Sequence, residues 1–221
     1  MHVPDGFISG PISLAGYALS AAVAGVAFAR ARKDPEESLP PLLGVTAAFV
    51  FAAQMINFPV ALGTSGHFLG AVLAAVLLGP WNACIVLSLV VGLQCLLFAD
   101  GGLTALGINV FNMGVVGVFF GYGVFWILGR LLRGRAGFMI AAAVAAWASV
   151  LAASSACALE LGFSGTVPLR YVLPAMGGVH ALIGIGEAVI TATSLSVVLA
   201  ARPDIVTAWR PRRALPEAAQ S

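Results

Sequence analysis

The chain has 221 residues, of which 60% are hydrophobic and only 9% charged, and its formal net charge is +2. An ordinary soluble domain carries about 25% charged residues, so water is excluded as the solvent for most of this surface, and the lack of a basic patch excludes a nucleic-acid partner. Lipid suits the surface, and because hydrocarbon offers no partner to backbone groups, stretches of about 20 apolar residues must span it as helices.

In chain order, apolar runs occupy 8–29, 42–58, 67–79, 82–98, 103–128, 136–162 and 175–200. A cleavable signal peptide carries positive charge before its apolar run. Here the first basic residue is Arg30, after the first run, so the amino terminus is expected to stay on the protein. Within that run small residues recur four apart, at Ala18 and Ala22 and at Ala21, Gly25 and Ala29. Such a ridge admits another helix closely, either a partner's or one of the same bundle. The run from His67 to Gly79 is short for a bilayer and reads as a span or a re-entrant arm. Cys84, Cys95 and Cys157 sit in apolar stretches without a CxxC pair and read as small hydrophobes.

Charge placement decides the number of crossings, because Lys and Arg in short loops favour the cytoplasmic side. Seven crossings from an outside amino terminus put Arg30, Arg32 and Lys33, then Arg130, Arg133 and Arg135, then Arg202, Arg210, Arg212 and Arg213 in the cytoplasm. That accommodates ten of the eleven basic residues, with Arg170 as the exception. The expected fold is therefore all-α, a polytopic bundle of seven transmembrane helices. One domain covers 1–201, and the polar, proline-bearing stretch 202–221 forms a cytoplasmic tail. No internal repeat stands out, so an inverted-repeat secondary transporter gains no support.

This topology places His2, His67 and His180 towards the outer face. A terminus reading Met1-His2 offers three nitrogens in succession: the α-amine, the His2 amide nitrogen and the His2 imidazole Nδ1. They close adjacent five- and six-membered chelate rings, and His67 would complete a square of nitrogens, a donor set suited to Ni²⁺, Cu²⁺ or low-spin Co²⁺ rather than to Mg²⁺ or Ca²⁺. The plainer readings are a disordered chain start and a helix-start histidine in Gly63-Thr64-Ser65-Gly66-His67. Asn57, Gln94, Asn109, Asn112, Glu160, His180 and Glu187 are polar groups at membrane depth, where ionisable side chains are costly. His180 and Glu187, seven apart, share a helix face. They serve either to orient a ligand, to relay a proton or as a structural pair. Asn109 and Asn112, three apart, are read as bracing a folded-in loop or terminus. Lys33 is the only lysine and lies in no GxxxxGK loop, so the chain has no ATP site of its own, and no hydrolase motif is found.

The start Met1-His2-Val3-Pro4-Asp5-Gly6-Phe7, Ser65-Gly66-His67, Leu78-Gly79-Pro80-Trp81, Asp100-Gly101-Gly102-Leu103, Leu106-Gly107-Ile108-Asn109 with Asn112-Met113, and the His180 to Glu187 stretch together resemble the CbiM/NikM family. These are the cobalt/nickel substrate-capture components of energy-coupling factor transporters, and the likeness runs from Met1 to about Ala201. The resemblance implies seven helices with the amino-terminal segment folded into the bundle. It implies Co²⁺ or Ni²⁺ as transported substrate, held by the Met1 amine, the His2 amide and imidazole, and the His67 imidazole, for cobalamin synthesis or metalloenzyme assembly. Asn109, Asn112, His180 and Glu187 would support or gate that site. It implies a bacterial inner membrane location, a transmembrane coupling (T/Q) subunit, two cytoplasmic ATPase (A/O) subunits and a small accessory membrane subunit (N). A self-sufficient proton-coupled metal permease using Glu187 and His180 is the second reading, and a membrane-embedded metalloenzyme the third.

Overall fold

The computed structural model describes residues 1–33, 39–60 and 64–209. Gly63 and residues 210–221, which include most of the expected tail with Arg210, Arg212 and Arg213, lie outside the described residues. The long apolar runs form helices α1 (Gly10–Ala31), α4 (Pro80–Phe98), α5 (Leu106–Leu131), α6 (Gly134–Phe163) and α7 (Leu169–Ala201). Among the described residues these five are long and apolar enough to cross a membrane. Two shorter helices, α2 (Leu39–Gln54) and α3 (Ala71–Leu78), precede α4.

Close packing follows from small residues at helical spacing. On α6 the buried face includes Ala142, Ala145, Ala146, Ser149, Ala153 and Cys157, and on α7 it includes Met176, His180, Gly184, Glu187, Thr191 and Leu195. The recurrence every three to four residues gives each helix one inward stripe. Helices α1 and α5 meet at two glycines. A Cβ on Gly107 would lie 2.4 Å from the Tyr17 backbone nitrogen, and one on Gly16 would lie 2.5 Å from Ile108 Cδ1. Ser20 Oγ donates to Gly107 O at 2.7 Å across this crossing. The ridge of Ala18, Ala21, Ala22, Gly25 and Ala29 lies instead on the exposed side of α1.

The all-α expectation needs one correction. Strands β1 (Asn57–Val60) and β2 (Thr64–His67) form an antiparallel hairpin with Asn57 opposite His67 and Phe58 opposite Gly66. His67 thus ends a strand and does not start a helix. Pro59 has no N–H to continue α2 and disfavours α geometry in the residue before it. Gly70, at φ +71°, then turns the chain into α3. At eight residues α3 is about 12 Å long, less than the ~30 Å of a bilayer core. All eight are buried.

Contacts define the two ends of the bundle. At one, the Arg30 guanidinium lies 4.6 Å from the centre of the Trp81 ring, Thr207 Oγ1 donates to Leu77 O at 2.7 Å, and Phe138 meets Trp209 edge-on at 4.9 Å. Residues 203–209 therefore fold back onto the bundle as two short 3₁₀ turns, with Val206 buried. At the other end the segment before α1, the hairpin and the loops 99–105 and 164–168 come together: Ser9 N donates to Ser164 Oγ at 3.1 Å and Asn57 Nδ2 to Asp100 Oδ2 at 3.3 Å.

The α1–α5 crossing predicts that Gly107→Ala lowers stability by about 1–3 kcal/mol through overpacking. Gly25→Ala, where a Cβ meets nothing within 4 Å, should leave it unchanged or slightly raised. Thermal unfolding in detergent separates the two variants.

Candidate metal centre

The chain start is folded into the bundle, with Met1 and Val3 fully buried and His2 only 3% exposed. Val3 N donates to Asn109 Oδ1 at 2.9 Å while Asn109 Nδ2 donates to Val3 O at 3.1 Å. A carboxamide carries both a donor and an acceptor and so pairs with a residue's main chain as a neighbouring strand would. Gly102 N adds a third bond, to Val3 O at 2.9 Å. Further out, Asp5 Oδ1 accepts from Thr104 N at 2.7 Å and Thr104 Oγ1 at 2.6 Å, and these bonds hold its carboxyl below the usual range.

Beyond the Val3 anchor, the His2 and His67 rings stack with centroids 4.7 Å apart. His67 Nδ1 faces Phe68 O at 2.6 Å, and a carbonyl partner requires that nitrogen to carry the proton. Its Nε2 lone pair is therefore exposed to the site, and that atom is buried with no hydrogen-bond partner. Both His2 ring nitrogens are likewise buried and make no close hydrogen bond, with the Gln94 side chain and, at 3.8 Å, Asp100 as their polar neighbours. Buried polar atoms left unpaired are costly, and native cores keep them few.

His180 repeats the His67 arrangement, with Nδ1 facing Met176 O at 2.8 Å and Nε2 buried and unpartnered. It faces the hairpin backbone, since a Cβ on Gly66 would lie 3.4 Å from its Nε2. Glu187 makes no pair with His180. Its Oε2 and Oε1 accept the Leu69 and Gly70 N–H groups at 2.7 and 2.6 Å. The carboxylate thereby fixes the start of α3 and, through Phe68, the strand that carries His67. Asn112, in a π-helical stretch of α5 (Phe111–Phe120), turns to Glu160 Oε2 at 2.6 Å. The two asparagines hold different elements, only Asn109 reaching the chain start.

Asp100 entered the sequence reading only as part of a motif. Its Oδ2 lies 3.8 Å from His2 Nε2, and it follows Ala99, whose φ of +53° ends α4. Gln54 Nε2 donates to Leu69 O at 2.8 Å and Gln94 is fully buried. The sequence signal for such residues is their polarity at membrane depth, which Asp100, at a helix end, lacks.

Burial is the largest influence on the site's charges. It lowers the Met1 amine to about 6 and His2 to about 3, the amine's charge being the second cause for His2. Burial also raises Asp100. At neutral pH the nitrogens are uncharged, the state in which they donate lone pairs to a metal. Among the described residues no three His, Cys, Asp or Glu side chains group around a metal position. The donors gathered here are instead two imidazoles beside the main-chain nitrogens of Met1 and His2.

Five apolar helices of spanning length among the described residues define a multi-pass membrane protein. The chain belongs to the family described as "Cobalt uptake substrate-specific transmembrane region", which it matches over residues 2–205. It is 44% identical over 93% of its length to an Archaeoglobus fulgidus protein named for nickel transport as a fused NikMN, 68% of which is covered. To the cobalt transport protein CbiM of Sorangium cellulosum it is 35% identical, with 93% of this chain and 94% of that protein covered. A crystal structure described as a transition metal transporter superposes with a TM-score of 0.85 at 34% identity, covering 90% of this chain and 93% of the other. The family resemblance read from the residues is thus shown, and it sets the protein among components of metal uptake.

Asn109→Ala would leave the Val3 N–H unpaired in an apolar core, at a cost of about 1–3 kcal/mol, while Val3 O keeps its bond from Gly102 N. Amide hydrogen exchange at Val3 should then accelerate more than tenfold, while Asn112→Ala leaves it near the wild-type rate.

Proposed function

We propose that this chain is the substrate-binding membrane subunit of an ATP-driven importer of the energy-coupling factor type, which captures Co²⁺ or Ni²⁺ from the outer side. The ion is held by the Met1 amine, the His2 amide nitrogen, His2 Nδ1 and His67 Nε2. The observation that carries this reading is the burial of Met1-His2 against the unpartnered Nε2 of His67. Two chelate rings share the His2 amide nitrogen, whose proton passes to water as the metal–nitrogen bond forms. Four nitrogen donors suit the late divalent transition metals, and a carboxylate-free inner set disfavours Mg²⁺ and Ca²⁺. Val3, pinned by Asn109 and Gly102, sets how deep the chelating nitrogens reach.

The membrane topology in this reading has seven crossings, with the amino terminus outside and the carboxy terminus in the cytoplasm of a bacterial cell. The third crossing combines α3 with the stretch 64–69 that precedes the Gly70 turn. Six residues of near-extended chain reach about 20 Å, and with the ~12 Å of α3 the two match the ~30 Å hydrocarbon core. Partners are a coupling subunit, two ATPases and an accessory N subunit. Relatives named as fused NikMN proteins support the last, and the exposed small-residue ridge of α1 offers a face to a partner helix. The proton-coupled permease loses its main support, because both Glu187 oxygens are engaged by backbone N–H groups.

The direct test is to block the amine, by acetylation or by an extension that makes Met1 internal. High-affinity Ni²⁺ and Co²⁺ binding should disappear in titration calorimetry while the protein still folds; unchanged affinity would refute the amino-terminal site.

The break in the pH dependence follows from the amine. Binding needs it neutral, and burial has already moved its pKa from 8.0 to about 6. The His2 amide gives up its proton on loading at every pH, so affinity falls about tenfold per pH unit throughout, and the amine adds a second proton only as pH falls through about 6, where an exposed amine would add it near 8. Calorimetric affinities at pH 5, 6, 7 and 8 should show the lower threshold.

A further inference from the structure

The nitrogen site proposed above leaves a charge unaccounted for. A divalent ion brings +2 and the deprotonated His2 amide supplies −1, so the complex retains +1 in surroundings where Met1 and Val3 are fully buried. An uncompensated charge in such surroundings is strongly unfavourable. Three of the carboxylates on the elements around it have other duties: Glu160 is taken by Asn112, Glu187 by Leu69 and Gly70, and Asp5 by Thr104. Asp100 is the acidic group that faces the chelating segment, 3.8 Å from His2 Nε2 and within electrostatic reach of the Met1 amine.

We infer that Asp100 is the positioning and charge-compensating residue of the metal site, holding the His2 ring by its Nε2–H and making the loaded complex neutral. With Nδ1 on the metal, the remaining proton of the His2 ring must sit on Nε2, the nitrogen that faces Asp100. A carboxylate behind a ligating histidine fixes its tautomer and raises its basicity. The 3.8 Å separation closes to hydrogen-bond distance by a shift of about 1 Å. The carboxylate is itself held in place. Asn57 Nδ2, from the residue opposite His67, donates to Oδ2 at 3.3 Å, and Asp100 N donates to Gln94 O at 3.1 Å. The same loop reaches Val3 through Gly102 N, and a Cβ on Gly101 would lie 3.2 Å from His2 Nδ1, so glycine there keeps the donor atom clear. The inference rests on the nitrogen site and adds the residue that balances its charge.

The test uses the full chain in detergent, with Ni²⁺ and Co²⁺ titrated by calorimetry and the unfolding temperature measured without metal. Asp100→Asn keeps the shape and an oxygen for the Nε2–H but removes the charge. It should weaken both metals by about 10–100-fold while the metal-free protein unfolds within a few degrees of wild type. Asp100→Glu should recover at least part of that loss. Affinity within threefold of wild type in Asp100→Asn would overturn the inference. So would an equal loss in both variants with a lowered unfolding temperature, which marks a merely structural role. His67→Ala serves as the control: loss of binding there with unchanged affinity in Asp100→Asn refutes Asp100 alone, whereas wild-type affinity in His67→Ala refutes the nitrogen site and this inference with it.

Discussion

Burying a chain end among apolar helices strips its N–H and C=O groups of water, and each group left unpaired costs about 1–3 kcal/mol. Asn109 removes that obstacle for Val3 with one donor and one acceptor, at 3.1 and 2.9 Å. With the main chain of Val3 satisfied, the two residues before it extend to a fixed depth, where His2 stacks on His67. The wide α5 turn at Phe111–Phe120 follows directly after Asn109, and such π-helical turns recur at functional positions. The chain start is thus part of the core, positioned as firmly as a side chain on a helix.

His67 depends on a second polar anchor. Its strand runs into Phe68, Leu69 and Gly70, whose route is set by the Glu187 carboxylate accepting two N–H groups and by Gln54 donating to Leu69 O. A buried carboxylate engaged by two N–H groups is a fixed acceptor, which explains how an acidic residue persists midway along an apolar helix. Chain start and hairpin, held from opposite sides by α5 and α7, bring their imidazoles together without a hydrogen bond between them.

The long helices were legible because a run of about 20 apolar residues admits one solution in lipid, and the seven runs correspond to α1 through α7. The hairpin was not. Asn57-Phe58-Pro59 and Gly66-His67 are separated by residues whose apolar character imitates a helix, and only the pairing of β1 with β2 makes them strands. The spacing of His180 and Glu187 set both on one face of α7, where both are buried, but a shared face says nothing about partners on other elements. Glu187 turned to α3 and His180 to Met176. Likewise the interval between Asn109 and Asn112 suggested a joint task, whereas those three residues separate a neighbour in the amino-terminal segment from one on α6. Asp100 escaped notice because an acidic residue at a helix end is ordinarily solvated, and its nearness to His2 exists only after folding. The return of residues 203–209 onto α3 was hidden for the same reason: polar, proline-bearing composition describes a tail until Val206 and Trp209 find their places.

The central claim is that the metal is held by nitrogen alone, from the first two residues and His67. X-ray absorption at the metal edge of the Ni²⁺-loaded chain reports the donor atoms directly. The account predicts a single shell of four nitrogens at about 2 Å with outer scattering from two imidazole rings, sulfur being distinguishable by its longer bond of about 2.3 Å. A sulfur shell, which would bring in Cys157 or the Met1 thioether, or an oxygen-rich six-coordinate shell without imidazole scattering, would contradict it.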